Sequence, residues 1–148
     1  MRAVIERLSG EPADRLGALV VESERQGFRF LRRLLEEWQQ GTNRFDRSGE
    51  VLFVARAGDD VIGVCGLSLD PYADDPQVGR VRHLYVLVPH RRAGVGEQLV
   101  NDVIEAARGH FGRLHLRTDS VTAARLYERL GFQPAPGARD RTHVLDLE

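Results

Sequence analysis

The stretch Arg91-Arg92-Ala93-Gly94-Val95-Gly96 decides how this chain is read. It follows an apolar run, Leu84-Tyr85-Val86-Leu87-Val88-Pro89, and opens a helical pattern with Val95, Leu99, Val103 and Ala106 on one side. A strand feeding a basic, glycine-bearing turn at a helix N-terminus suits an anion. Glycines let backbone N–H groups approach a phosphate, and the helix end adds partial positive charge. Two arginines add full charge and paired donors. The segment predicts a phosphorylated ligand.

Three phosphate-binding designs are open to such a loop. A P-loop needs Gly-Lys-Ser/Thr at its end, which the sequence lacks. A dinucleotide fingerprint needs a third glycine, where Leu99 stands, and belongs in the first strand–helix unit. The third is a pyrophosphate cradle for coenzyme A, with arginine ahead of the glycines.

Around this loop the chain reads as alternating helices and strands. Ala3 to Leu8 is a first strand. Pro12 to Gln26 is a helix with Leu16, Leu19, Val20 and Ser23 on one side, and Phe28 to Gln40 a second with Phe28, Leu31, Leu35 and Trp38 as its stripe. Gly41 stops the second. Val51 to Ala57 and Val61 to Leu69 form a hairpin about Gly58-Asp59-Asp60. Asp70 to Gln77 is a loop, Val78 to Val88 a strand, Gly94 to Arg108 a helix and Arg113 to Thr118 a strand. Asp119 or Ser120 caps a helix over Val121 to Leu130, Gly131-Phe132 ends it, and Thr142 to Leu147 is the last strand. Hairpins and helical crossovers together predict one α/β domain with a mixed sheet.

Bulk properties agree. The 148 residues suit one domain with a real core, and 42% hydrophobic with 29% charged residues describe an ordinary globular protein. No apolar run approaches the ~20 residues of a membrane span, and the segment Met1 to Arg7 lacks the apolar region of a signal peptide. A net charge of −1 gives no pull toward nucleic acid. The single cysteine, Cys65, permits no internal disulfide and suits a reducing cytoplasm. The five histidines, at 83, 90, 110, 115 and 143, show no metal-ligand spacing, so no metal is expected.

Arg91-x-x-Gly94-x-Gly96 resembles the acyl-CoA-binding motif of the GNAT (Gcn5-related N-acetyltransferase) superfamily, written Q/R-x-x-G-x-G/A. The preceding Leu-Tyr-Val-x-Val-Pro looks like that family's strand into the loop. Ala123-Ala124-Arg125-Leu126-Tyr127-Glu128-Arg129-Leu130-Gly131-Phe132 is similar to its later motif of alanine, tyrosine and Leu-Gly-Phe. The sharp match covers roughly residues 80 to 134; the first half matches in element order alone. The resemblance implies a single domain over residues 1–148, with a mixed, mostly antiparallel central sheet flanked by helices.

It also implies acetyl transfer from acetyl-CoA directly to a primary amine, most simply that of a small molecule, by a monomer or homodimer. A protein or peptide amine, or a non-catalytic acyl-CoA-binding module, are the alternatives. Backbone groups of Val86 and Val88 would pair with the pantetheine arm like an added strand, where the sheet splays. A backbone N–H near Leu87 would steady the oxyanion. N–H groups of Arg92, Ala93, Gly94, Val95 and Gly96 would cradle the pyrophosphate beside Arg91. Tyr127 would protonate the leaving thiolate. Ser120 stands where many relatives carry an asparagine that helps hold the pantetheine or the tyrosine, although a helix cap explains it too.

Many relatives place a glutamate near the start of the central strand. Here Gly79-Arg80-Val81-Arg82-His83 holds no carboxylate, and His83 is the candidate general base because imidazole titrates near neutrality. Asp70, Asp74 and Asp75 read as a solvated acidic loop, with attraction of an ammonium group as the functional alternative. Phe28 and Trp38 read as core, and Cys65 as a buried structural thiol.

Overall fold

The computed structural model describes residues 3–147. Met1, Arg2 and Glu148 lie outside the described residues, and with them the first two residues of the N-terminal segment read above. In chain order the elements are β1 (Val4–Arg7), α1 (Pro12–Arg15), α2 (Gly17–Arg25), α3 (Phe30–Gln40), β2 (Val51–Ala57), β3 (Asp60–Leu69), β4 (Val78–Val86), a 3-10 turn (Val88–His90), α4 (Val95–Ala107), β5 (Arg113–Leu116), α5 (Val121–Arg129), β6 (Gln133–Pro134) and β7 (His143–Asp146). The strands form one seven-stranded sheet ordered β1-β2-β3-β4-β5-β7-β6. Every pair is antiparallel except β4 with β5, which the crossover through α4 makes parallel. This is the mixed sheet read from the residues, and mostly antiparallel as the resemblance implies.

Each face of the sheet has its own core. On one, the apolar side of α4 (Val95, Leu99, Val100, Val103, Ile104) packs with Ala55, Ile62, Val81, Val86, Leu114 and Leu116. On the other, Leu16, Leu19, Val20, Leu31 and Leu34 pack on Leu52, Val54, Val64 and Tyr85. Alternation along β5 sends Leu114 and Leu116 to the α4 face.

Several boundaries differ from the sequence reading for physical reasons. The helix expected over Pro12 to Gln26 breaks at Leu16, which leaves helical geometry (φ −103, ψ 9) while its side chain is fully buried. α3 begins at Phe30, and Phe28 is 47% exposed rather than core. Leu34, not Leu35, is the buried partner of Leu31. The strand expected to reach Val88 ends at Val86, because Pro89 belongs to a 3-10 turn. β5 stops at Leu116, and the two-residue β6 was not foreseen. Gly41 does end α3 in left-handed geometry at φ 77, and Gly58-Asp59 is the two-residue link of a hairpin pairing Ala57 with Asp60.

Gly66 of β3 shows how tightly the second core is closed. A Cβ there would lie 2.7 Å from Cε1 of Phe45 and 3.2 Å from Cδ1 of Leu52, both buried side chains. Gly66→Ala should therefore cost about 1–3 kcal/mol through overpacking. Urea unfolding measures it, and an unchanged midpoint would contradict this packing.

Candidate active site

β4 is the strand on which the site is built. Along its β3 edge it is paired from Gly79 to Val86. Along its β5 edge it is paired over three residues only, Val78 to Arg80 with Arg113 to His115. Beyond that point β5 stays with β7, through the Leu116–His143 pair. The two parallel strands therefore part, and Val81 to Val86 line one side of an open fork.

The β3 edge carries a bulge. Val64 pairs with Tyr85 and Gly66 with Arg82, so His83 and Leu84 face the single residue Cys65. His83 takes φ 62, a left-handed conformation uncommon for a residue with a side chain. The bulge turns two successive side chains to the α3 side. Arg82 reaches Glu37 of α3 at 3.7 Å, and His83 packs against Phe30 and Phe45 with ring centroids 6.3 and 6.0 Å away.

Past the bulge, Leu87 N–H donates to Ile62 C=O at 2.9 Å. Successive residues of a strand turn their backbone groups to opposite edges. Val86, and Leu84 two residues earlier, therefore turn theirs into the fork. Val88 N–H is also engaged, donating to Glu22 Oε1 at 3.0 Å, and that carboxylate accepts from Tyr85 Oη at 2.6 Å. Of the backbone groups expected to meet a ligand, the N–H of Val86 faces the fork while its C=O accepts from Arg91 Nε, and the N–H groups of Leu87 and Val88 are committed within the protein. Leu84, which the sequence reading passed over, faces the fork as well, in step with Val86.

At the fork's mouth the chain runs through the basic turn. Arg92 (φ 67) and Gly94 (φ 80) are both left-handed, and Gly94 is the N-cap of α4. Having no side chain, it makes no cap hydrogen bond, and the first helical bond is Gln98 N–H to Gly94 C=O at 3.0 Å. The N–H groups of Val95, Gly96 and Glu97 thus begin the helix without intrahelical partners, as an anion site requires. A Cβ on Gly96 would meet Leu126 Cδ2 at 3.5 Å and Val86 Cγ2 at 3.9 Å, so Gly96 sits where α4, α5 and β4 converge. Arg91 does not extend toward the turn. Its Nε donates to Val86 C=O at 2.8 Å, its Nη2 to Gln26 Oε1 at 3.3 Å, and its guanidinium lies 5.1 Å from the Tyr85 ring centroid.

α5 closes the other side. Ser120 caps it, accepting from Ala123 N–H at 3.1 Å, which is the structural part of the expectation for that residue. Tyr127 is 6% exposed, edge-on to Phe132 at 5.6 Å between centroids. Burial, followed by the nearby Cys65, raises its phenol above the usual tyrosine range, so it keeps its proton at neutral pH. Burial likewise pushes the Cys65 thiol up to about 12, as expected of a structural thiol.

His83 is not placed as a general base. Neither ring nitrogen has a hydrogen-bond partner among the described residues or contact with solvent. Burial first, then the charges of Arg82 and Arg33, lower its pKa from 6.5 to about 3. It is a neutral ring held between aromatic neighbours. Asp70 also departs from the solvated loop expected of it. It is 4% exposed and bonded to His115 and Arg80.

On the α3 side a cleft of about 540 Å³ lies beside Arg82, bounded by Glu37, Glu50, Tyr72 and Asp74. Glu50 is spent on backbone, accepting from Arg47 N–H at 3.1 Å and Leu69 N–H at 2.8 Å. Asp70, His115 and Asp140 bring ligand atoms within 4.8 Å of one another, but each carboxylate already faces a guanidinium, Arg80 or Arg141. The 21 basic side chains are all arginine, and the sequence contains no lysine.

Comparison with known proteins gives this geometry a family. Residues 6–132 match the model of the acetyltransferase (GNAT) family. The chain belongs to the GNAT acetyltransferase family. A protein from Exiguobacterium sp. 255-15, itself provisionally assigned as an acetyltransferase, superposes with a TM-score of 0.87 at 28% identity over 99% of this chain and 94% of that one. YhbS of Escherichia coli, a GNAT family N-acetyltransferase solved in complex with CoA, gives 0.75 at 21% identity over 100% and 83%. An acetyltransferase of the family from Staphylococcus aureus Mu50 gives 0.77 at 17% over 99% of each chain, a likeness of fold. No helix among the described residues is long and apolar enough to cross a membrane.

The neutral His83, whose two ring nitrogens are buried, makes stability depend on pH. Its folded pKa lies below the unfolded 6.5, so the unfolded chain takes the proton first. The resulting destabilisation starts as pH falls through about 6.5 and grows until about 3, with a slope of at most about 1.4 kcal/mol per unit. His83→Leu should flatten that part of the profile in urea titrations between these limits. An unchanged slope would show that the ring takes up its proton while folded.

Proposed function

We propose that the protein transfers the acetyl group of acetyl-CoA directly to the primary amine of a small molecule. The observation that carries this reading is the fork beside Val81 to Val86, which opens onto the uncapped N-terminus of α4. A pantetheine arm pairs in extended form with the backbone of Leu84 and the N–H of Val86, whose C=O Arg91 holds, as a strand adds to a sheet. The pyrophosphate takes the N–H groups of the turn from Arg92 to Gly96. The fit is chemical as well as spatial, since an edge that lacks a strand offers donors and acceptors in the alternation an amide chain needs.

In the reaction, nitrogen attacks the thioester carbon, and the carbonyl oxygen gains charge. A backbone N–H turned into the fork, from Leu84 or Val86, steadies it, a contribution of about 3 kcal/mol for one such donor. The C–S bond then breaks, the thiolate takes the phenolic proton of Tyr127, and the nitrogen, cationic after attack, releases its second proton to water, which returns one to the phenolate. A buried phenol is a weak acid, but the burial that raises it also raises a thiolate formed beside it, as Cys65 at about 12 illustrates. The two pKa values therefore rise together. The amine reaches the carbonyl having lost its proton to water, and holding both reactants in one fork supplies much of the rate. The single unpaired thiol supports a reducing cytoplasm as the setting, with the enzyme acting as a monomer or homodimer.

The test is release of free thiol from acetyl-CoA with a panel of small primary amines, the product identified by mass spectrometry. Tyr127→Phe should lower kcat about 100-fold with the KM for acetyl-CoA within about twofold. Binding of CoA without turnover on any amine would leave a binding module instead. Turnover only on peptide amines would reassign the acceptor. Gly96→Val should weaken CoA binding at least about tenfold in calorimetry while the fold persists, because the Cβ position meets only ordinary contacts. Undiminished affinity would remove the phosphate role of the turn.

A further inference from the structure

The fork begins at Arg80 and His115, the last pair of the β4–β5 ladder. The side chains of both residues end on one carboxylate. Asp70 Oδ2 accepts from His115 Nδ1 at 2.7 Å, and Asp70 Oδ1 accepts from Arg80 Nη1 at 3.4 Å. Asp70 itself stands where the chain leaves β3, its N–H donating to Val78 C=O at 3.0 Å. The carboxylate therefore reaches from the end of β3 across β4 to β5. Its side chain is 0% exposed, with Arg80 at 8% and His115 at 6%. The Tyr72 ring covers the guanidinium at 4.7 Å, and Arg80 Nη2 donates to Asp140 C=O, at 2.6 Å, in the connection between β6 and β7.

We infer that Asp70 is a positioning residue that fixes the opening of the fork by tying β4 to β5 at its vertex. Three parallel backbone pairs are a short hinge, and above them no hydrogen bond from β5 restrains β4. Val86 lies six residues beyond Arg80, roughly 20 Å along an extended strand. A rotation of only about 5° at the vertex would move that edge by about 1.7 Å, enough to break a hydrogen bond to a ligand lying along it. A carboxylate sealed from solvent holds its two donors in one geometry, because moving either leaves a buried polar group without its partner. Asp70 touches neither the turn at α4 nor Tyr127. Its effect belongs to the width of the fork and not to the phosphate site.

The consequence for ligand binding rests on the coenzyme A reading, and the test separates the two. His115→Phe cuts the tie to β5 while leaving Asp70 paired with Arg80. His115→Asn restores an amide donor near the position of Nδ1. In the ligand-free protein, hydrogen exchange of Val81 and of Leu114 to Leu116 should accelerate at least about tenfold in His115→Phe and return close to wild type in His115→Asn. By calorimetry, His115→Phe should raise the Kd for CoA at least about tenfold. The Kd for 3′-phospho-ADP, the half of CoA without the pantetheine arm, should stay within about twofold, because the α4 turn is untouched. Asp70→Ala should show the same split. Should it fail to fold, His115→Phe decides. Unchanged exchange, parallel weakening of both ligands, or failure of His115→Asn to rescue would overturn the tie. A wild-type protein that binds neither ligand would overturn the coenzyme A reading, and the exchange result would then judge the tie alone.

Discussion

β4 has hydrogen-bonding partners along nearly all of one edge and along only three residues of the other. An edge of unpaired N–H and C=O groups inside a sheet, rather than at its margin, is costly unless something answers it. Much of the molecule is arranged around this gap. α4 fills the crossover that makes β4 and β5 parallel, α5 brings Tyr127 and Leu126 against the far side, and the bulge at His83 and Leu84 resets which backbone groups look into the opening. The buried carboxylate of Asp70 stands where the gap starts, and the left-handed turn at Arg92 and Gly94 where it ends.

The bulge is held by packing. His83 pays for a left-handed backbone and two unpartnered ring nitrogens. What holds it there is a set of aromatic faces, Phe30 and Phe45 on the ring itself and Tyr85 beyond Phe30, whose phenol is anchored on Glu22. Offset and edge-on aromatic pairs contribute about 0.5–1.5 kcal/mol each beyond their buried area. That is of the same order as the cost of one strained residue. α2 and α3 thus hold the sheet's irregularity in place, which gives those helices a part in the site without contributing a reacting group.

Residues whose role follows from local rules were legible in the sequence. Gly41, Gly94 and Ser120 stand where helix ends demand them, and the apolar stripe of α2 and, on α4, Val95, Leu99 and Val103 are buried as their spacing requires, with Ala106 partly so. Less legible was whatever depends on distant partners. Val78 to Val88 reads as an unbroken strand, and nothing within it announces that His83 and Leu84 will both face Cys65. Arg91 reads as a phosphate ligand from its place in the motif, yet the carbonyl of Val86 and the oxygen of Gln26 compete for its guanidinium. Asp70 looks like one acid among several in a proline-containing loop. Only the fold brings Arg80 and His115 to it from positions 10 and 45 residues away. The acceptor amine is the least legible of all, because the cleft beside Arg82 is made of side chains from three separate segments, with Arg82 paired to Glu37 and Glu50 turned onto backbone N–H groups.

The exclusive use of arginine has a chemical consequence. Guanidinium groups stay protonated at any pH a cell reaches and are poor nucleophiles, whereas a lysine ammonium loses its proton readily when desolvated. A thioester is an acylating agent toward any neutral amine it meets. A chain with 21 arginines and no lysine offers no side-chain amine to be acylated. The surface around a bound thioester can therefore carry dense positive charge without consuming the reagent, and the protein is resistant to the self-modification that its own chemistry would otherwise invite.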